Sequence, residues 1–235
     1  MNKVYAVSDL HGRYDLWKKI SDYCDDSDLI YYLGDAVDRG PEPFKLFLEL
    51  LKDKRVIFIC GNHEALMAEA IVDYLGGYTT TLVEWCNDGG LSTWYDIEGF
   101  SEDGLRNIIR QVWELPLKLK YTREDGKEVY LSHAGFSPWS PCADEENFLL
   151  QDRKHMKSGW RSDVEYENIY IVHGHTPTEL CGDPCVSLPV VHPAEMLEYA
   201  QGHKIDIDTG AVWSGIATLL DLDTFKPIYF EIKEE

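Results

Sequence analysis

Three observations predict an α/β fold for this chain. Short apolar runs alternate with segments of helical periodicity over residues 4–60, the runs stop at polar blocks, and the second half is rich in further strand-like runs. Val4-Tyr5-Ala6-Val7 reads as a buried strand that delivers Asp9 and His11 at its carboxyl end. Residues 14–24 carry Leu16, Trp17, Ile20 and Tyr23 at helical spacing. Residues 28–33 form the next strand, which ends at Gly34-Asp35, and Pro43–Lys52 presents Phe44, Phe47, Leu48 and Leu51 as a helix face. A third strand over residues 55–60 runs into Gly61-Asn62. Strand, helix, strand, helix, strand is the rhythm of a layered sheet whose ligands gather at the carboxyl ends of its strands.

The pattern then changes. From about residue 64 to 119 the chain is helical in character, punctuated by Gly76-Gly77 and Gly89-Gly90 and scattered with Trp85, Trp94, Tyr95, Phe100 and Trp113. This stretch is expected to form a helical cap beside the site, although the same helices would also serve to complete the core. Strands return at residues 117–121 and 129–132, joined through Glu124-Asp125-Gly126-Lys127, whose Asp-Gly pair is a strong hairpin signal. Residues 169–172, 205–210 and 217–222 read as further strands, so the late half is expected to build a second sheet packed on the first. At 235 residues, without internal repeats or a linker, residues 1–235 are expected to form one domain.

Composition removes several function classes. The 44% apolar content includes nothing near the ~18 consecutive apolar residues of a membrane span, so no membrane partner is expected. The first polar block begins at Ser8, which leaves no room for a secretory leader and suggests a cytoplasmic protein. Cysteines at 24, 60, 86, 142, 181 and 185 are irregularly spaced and are expected to stay reduced; Cys181 and Cys185 lack the further ligands of a zinc site. A net charge of -20 repels polyanions and argues against nucleic acid as a partner. It leaves phosphorylated substrates open, because bound divalent ions can reverse the local sign of charge.

Five polar blocks carry the chemistry: Ser8-Asp9-Leu10-His11-Gly12, Gly34 to Gly40, Gly61-Asn62-His63-Glu64, Ser132-His133-Ala134-Gly135 and His173-Gly174-His175-Thr176. Asp9 and His11 lie two apart just past a strand, so their side chains can point the same way and hold one ion. Asp35, at the end of the neighbouring strand, has two oxygens suited to bridging two ions, and Asn62, His133 and His175 complete the second. Oxygen and imidazole ligation without thiolate suits manganese, iron or zinc, with manganese the leading expectation. Two such ions about 3.5–4 Å apart acidify a water and compensate charge on a transferring phosphoryl group.

As a set these blocks resemble the phosphoprotein phosphatase family of metallophosphoesterases, which includes phage lambda-type serine/threonine phosphatases and symmetrical dinucleoside tetraphosphate hydrolases. The resemblance runs from residue 8 to 176 and extends to Ile207-Asp208-Thr209-Gly210-Ala211. It implies a two-sheet α/β/β/α metallophosphoesterase sandwich with a helical cap insertion. It assigns the first metal to Asp9, His11 and Asp35, and the second to Asp35, Asn62, His133 and His175. His63 would be the general acid with Asp38 as its orienting carboxylate; the alternative is that His63 only supports the ligands from behind. Arg39 would grip the phosphate with its planar guanidinium. Arg153, in Leu149-Leu150-Gln151-Asp152-Arg153, would be a second phosphate contact, with Arg161 in reserve.

Three departures stand out. Ser8 replaces the first family glycine, Cys60 stands where many relatives carry arginine, and Pro177 stands where the wider group has a second histidine. His173 is therefore expected to be structural or to support the ligands from behind rather than to bind metal. The implied activity is metal-dependent hydrolysis of phosphoserine or phosphothreonine, with phosphotyrosine or small phosphate esters as further substrates. A dinucleoside polyphosphate hydrolase is the alternative, and a metal-binding adaptor without activity is a third. A nuclease is disfavoured by charge and by Pro177.

Overall fold

A computed structural model describes residues 2–138, 149–157, 166–182 and 194–232. The expected opening rhythm is present as β1 (Val4–Val7), α1 (Tyr14–Tyr23), β2 (Leu29–Tyr32), α2 (Pro43–Lys52) and β3 (Val56–Phe58). Helices follow as α3 (Asn62–Leu75), α4 (Thr80–Trp85), α5 (Leu91–Ile97) and α6 (Glu102–Trp113), with a π-helical turn at Cys86–Gly90 between α4 and α5. The hairpin β4 (Lys118–Thr122) and β5 (Glu128–Ser132) leads to β6 (Ile169–His173), β7 (Leu197–Tyr199) and β8 (Lys204–Asp206). A short helix α7 (Ala211–Ser214), then β9 (Ile216–Asp221) and β10 (Lys226–Glu231), close the chain.

These strands form two mixed sheets, ordered β10-β9-β1-β2-β3 and β4-β5-β6-β8-β7. The parallel β1, β2 and β3 end at one edge of the first sheet, and the parallel β5, β6 and β8 end at one edge of the second. The period-two alternation of side chains decides what each face meets. Tyr5, Val7, Ile30 and Tyr32 join Leu16, Ile20, Phe47, Met67 and Ile71 in a core beneath the helices. Ala6, Tyr31 and Leu33 face the other way and pack with Val129, Leu131, Val172 and Ile205, filling the space between the sheets.

Two expectations about the late strands are corrected. Residues 217–222 do not extend the second sheet: β9 pairs antiparallel with β1 in the first, and β10, unanticipated, pairs with β9 at the edge. Pro227 and the presence of only Ile228 and Phe230 as packed apolar groups weaken the strand signal of β10, as suits an edge position. Residues 205–210 do not continue as a strand either. Asp206 Oδ1 accepts from the Asp208 N–H and Asp208 Oδ1 from the Gly210 N–H, so short side chains curl the backbone out of the sheet after Asp206.

Helix α3 starts at Asn62, earlier than its apolar pattern suggested. Glu64, at its third position, reaches back to accept from the Gly61 N–H at 2.9 Å, half of a capping box. Among the described residues no helix is long and apolar enough to cross a membrane.

Candidate active site

The blocks gather where strands end. β1 presents Asp9 and His11; β2 presents Asp35, Asp38 and Arg39; β3 leads into Asn62 and His63 at the start of α3. From the second sheet, β5 and β6 add His133 and His175. Asp9, His11, Asp35, Asp38, Arg39 and His175 all hold positive φ, between 43° and 73°. Such conformations cost of order 1–3 kcal/mol each in a non-glycine residue and persist only where the surroundings over-determine them.

Asp35 sits in the middle. Its Oδ2 lies 3.5 Å from His11 Nε2 and 3.9 Å from His63 Nε2, and its Oδ1 lies 3.4 Å from His133 Nε2. One oxygen therefore faces each half, as a bridging ligand requires. Two buried clusters result, His11 with Asp35 and His63, and Asp35 with His133 and His175. Asn62 completes the second, its Oδ1 being 2.8 Å from His133 Nε2 and 2.9 Å from His175 Nδ1. Asp9 belongs to neither cluster as placed; both its oxygens accept from the His175 N–H, at 3.2 and 3.0 Å. Gly174 makes that possible, since a Cβ there would lie 2.0 Å from Asp9 Oδ2.

The donor set fits two divalent cations. His11 Nδ1 donates to Val37 O at 2.8 Å and His133 Nδ1 to Leu33 O at 2.7 Å, which fixes each ring and turns its Nε2 inward. Imidazole nitrogens and amide or carboxylate oxygens then converge with their acceptor sides together, an arrangement that calls for a cation. The local field agrees. Burial opposes charge on His133, yet Asp35 and Asp9 outweigh it and raise His133 to about 10. Burial likewise opposes ionisation of Asp35, but His133, His63 and His11 hold it well below the carboxylate range. His11 is driven by burial down to about 3, so it offers a neutral nitrogen.

His63 Nδ1 is 2.7 Å from Asp38 Oδ2. Burial disfavours its protonation, but the Asp35 and Asp38 charges prevail and raise its pKa. Arg39 spans the first cluster, with its two terminal nitrogens 2.6 Å from His11 Nε2 and 2.8 Å from His63 Nε2. Its guanidinium carbon lies 5.3 Å from the centre of the Trp213 ring, which is 64% exposed at the edge of the site. Arg153 is exposed; its charge, after burial and His133, helps to hold His175 well below its ordinary value, so it bears on the second cluster. Arg161, Cys142, Cys185 and His192 lie outside the described residues, while Cys24, Cys86 and Cys181 carry free thiols. His173 is structural, its Nε2 2.7 Å from the Tyr199 hydroxyl and its ring edge-on to His155.

Sequence reasoning missed two supports. Glu64 accepts from the N–H groups of Asp35, Ala36, Val37 and Gly61, tying the β2 and β3 exits together. Its place three residues after Gly61 was the available signal. Trp85 and Thr93 reach Asp38 from the helical segment, Trp85 Nε1 donating at 2.8 Å and Thr93 Oγ1 at 2.6 Å. The Gly89-Gly90 pair was the signal there, because a Cβ at Gly90 would lie 2.3 Å from the Trp85 ring and one at Gly89 2.7 Å from Arg39 Cγ.

Two mixed sheets whose parallel strands converge on paired His and Asp clusters define an α/β fold that gathers candidate metal ligands at its strand ends. The chain belongs to the calcineurin-like phosphoesterases, whose family pattern matches residues 2–207, and such enzymes work with a dinuclear metal centre. It is 29% identical over 155 residues to the symmetrical bis(5'-nucleosyl)-tetraphosphatase of Buchnera aphidicola subsp. Schizaphis graminum, covering 64% of this chain and 51% of that protein. It is 27% identical over 137 residues to serine/threonine-protein phosphatase 2 of Escherichia coli, covering 57% of this chain and 58% of that one. These matches span little more than half the length of either relative. A solved metallophosphoesterase from Sphaerobacter thermophilus shares the fold at a TM-score of 0.54 and 14% identity, over 99% of this chain and 89% of that one.

Proposed function

We propose that the chain hydrolyses phosphate monoesters, phosphoserine and phosphothreonine in proteins or peptides first among them. It would hold two divalent ions, manganese, iron or zinc, on Asp9, His11, Asp35, Asn62, His133 and His175. When bound, the ions supply charge compensation for the phosphoryl oxygens and acidify the attacking water. Arg39 binds phosphate oxygens through its planar fork, and Arg153 adds positive charge near the second cluster. The observation that carries this reading is the His63–Asp38 pair at 2.7 Å beside Asp35. An alkoxide leaves poorly unless protonated, and a histidine held in one tautomer by a carboxylate is suited to deliver that proton. A nucleoside diphosphate leaving group has far less need of it.

The exposed Trp213 beside Arg39 favours a second reading, hydrolysis of a dinucleoside polyphosphate whose base stacks on the indole. The name of the Buchnera relative supports that reading, and the name of the Escherichia coli relative supports the first. Phosphoserine peptides, p-nitrophenyl phosphate and diadenosine tetraphosphate, each incubated with the manganese-loaded protein, separate the two. The first reading expects phosphate from the monoesters; adenosine diphosphate formed from the dinucleotide with every monoester intact overturns it.

A further inference from the structure

The helical segment between β3 and β4 does more than cover the core. Asp38 is wholly buried, as is Thr93, and Trp85 is 1% exposed. All the hydrogen-bonding capacity of the Asp38 side chain that faces the helices is directed. Oδ2 accepts from His63 Nδ1 at 2.7 Å and from Trp85 Nε1 at 2.8 Å. Oδ1 accepts from the Thr93 hydroxyl at 2.6 Å, and that same hydroxyl accepts from the Asp38 N–H at 2.9 Å. The next residue is held too, the Arg39 N–H donating to Gly89 O at 2.9 Å. One stretch of the helical segment, from Trp85 at the end of α4 to Thr93 in α5, thus grips both the carboxylate behind His63 and the backbone of the phosphate arginine.

The grip is specific in direction. A carboxylate with one donor can rotate about its Cβ–Cγ bond, whereas donors on both oxygens fix its plane. The plane of Asp38 sets the direction of the His63 imidazole through Nδ1, and so the direction of Nε2, the nitrogen that faces Asp35. We propose that Trp85 and Thr93 are positioning residues for proton delivery: by fixing the Asp38 carboxylate they aim His63 Nε2 at the leaving-group oxygen. This rests on the reading of His63 as the acid. In that step the bond from phosphorus to the leaving oxygen breaks, its electron pair stays on that oxygen, and the Nε2 proton moves to it. A water oxygen forms the new bond to phosphorus, keeps one of its protons and releases the other to solvent. His63 is left neutral with Nδ1–H still on Asp38, and is reprotonated from solvent for the next turnover.

A support that only stabilises the fold would affect all substrates alike. A support that aims the acid matters in proportion to how badly the leaving group needs a proton. The test compares kcat/KM for p-nitrophenyl phosphate, whose leaving group needs none, with that for phenyl phosphate, in the manganese-loaded full chain. Taking the ratio within one preparation cancels any misfolded fraction. Acid catalysis contributes about 10²–10⁴-fold, so His63→Asn is expected to widen the ratio by about 100-fold, and Trp85→Phe and Thr93→Val by about tenfold each. Thr93→Ser, which keeps the hydroxyl, should retain the wild-type ratio. Equal losses on both substrates in Trp85→Phe and Thr93→Val, with His63→Asn still separating them, overturn the inference alone. If His63→Asn fails to separate them, or if neither ester is hydrolysed, the acid reading falls and the inference with it.

Discussion

The strand ends and the helical segment build one site by opposite means. At the strand ends the backbone does the placing: a residue within four positions of the end of a buried strand is delivered to the cleft, and positive φ at Asp9, His11, Asp35 and His175 turns its side chain inward. In the helical segment side chains do the placing, across sequence separations of 47 for Trp85 and 55 for Thr93. The first arrangement concentrates ligands, and the second directs a group already there. Damage to the two should therefore differ in kind: loss at a strand end removes metal and with it all activity, while loss in the helices changes selectivity among leaving groups.

The largest expected effect is at Asp35, which faces both clusters. Asp35→Asn should lower bound metal from about two ions per chain to one or none and cut hydrolysis of every ester by about a thousandfold or more, read by metal analysis and phosphate release. Full metal content and activity in that variant would break the comparison at its root. Glu64→Gln comes next, since it keeps shape but weakens four backbone contacts to a charged group. A loss of about 1–3 kcal/mol in denaturant unfolding is expected, with metal affinity reduced about 10–100-fold and the leaving-group ratio unchanged. A changed ratio would show that the two supports are not separable. Trp213→Ala should be milder, a few-fold rise in KM at constant kcat, because an exposed contact between a cation and a ring is worth about 0.5–1 kcal/mol.

The smallest effect tests a region that neither support touches. Lys204 is fully buried with its Nζ 2.8 Å from His155 O and 3.1 Å from Ser137 Oγ, and burial lowers its pKa to about 8. A folded-state value below the unfolded one means the unfolded chain binds more protons, so this group's contribution to stability rises as pH climbs through 8. Between pH 7 and 9 the wild type should gain about 1 kcal/mol relative to Lys204→Met in urea unfolding. A gap constant with pH would show that Lys204 keeps its proton in the fold.

What was legible in the sequence follows the same division. The expected ligand positions were legible because metal chemistry restricts residue types and strand exits restrict places, and His11, Asp35, Asn62, His133 and His175 lie together while Asp9 turns to the His175 amide. The strand and helix order through β3 was readable from periodicity alone. The assignment of β9 to the first sheet was not, because a strand buried on both faces has the same pattern in either sheet. Nor were Trp85 and Thr93, since an indole N–H or a hydroxyl aimed at one carboxylate leaves no spacing rule. The glycines beside them carried a trace, in the close approach that Gly90 allows to the Trp85 ring.

The bond from the His175 amide to Asp9 joins the end of β6 to the end of β1, and His133, just past the end of β5, donates to Leu33 O past the end of β2. The second cluster therefore acts as a rivet between the two sheets. A slip of one sheet against the other by an ångström would pull its parts out of line, and ions seated there would resist that shear. Loading with metal should slow amide exchange along the seam between the sheets more than on the outer helices, making the fold's stiffness a gauge of the centre's occupancy.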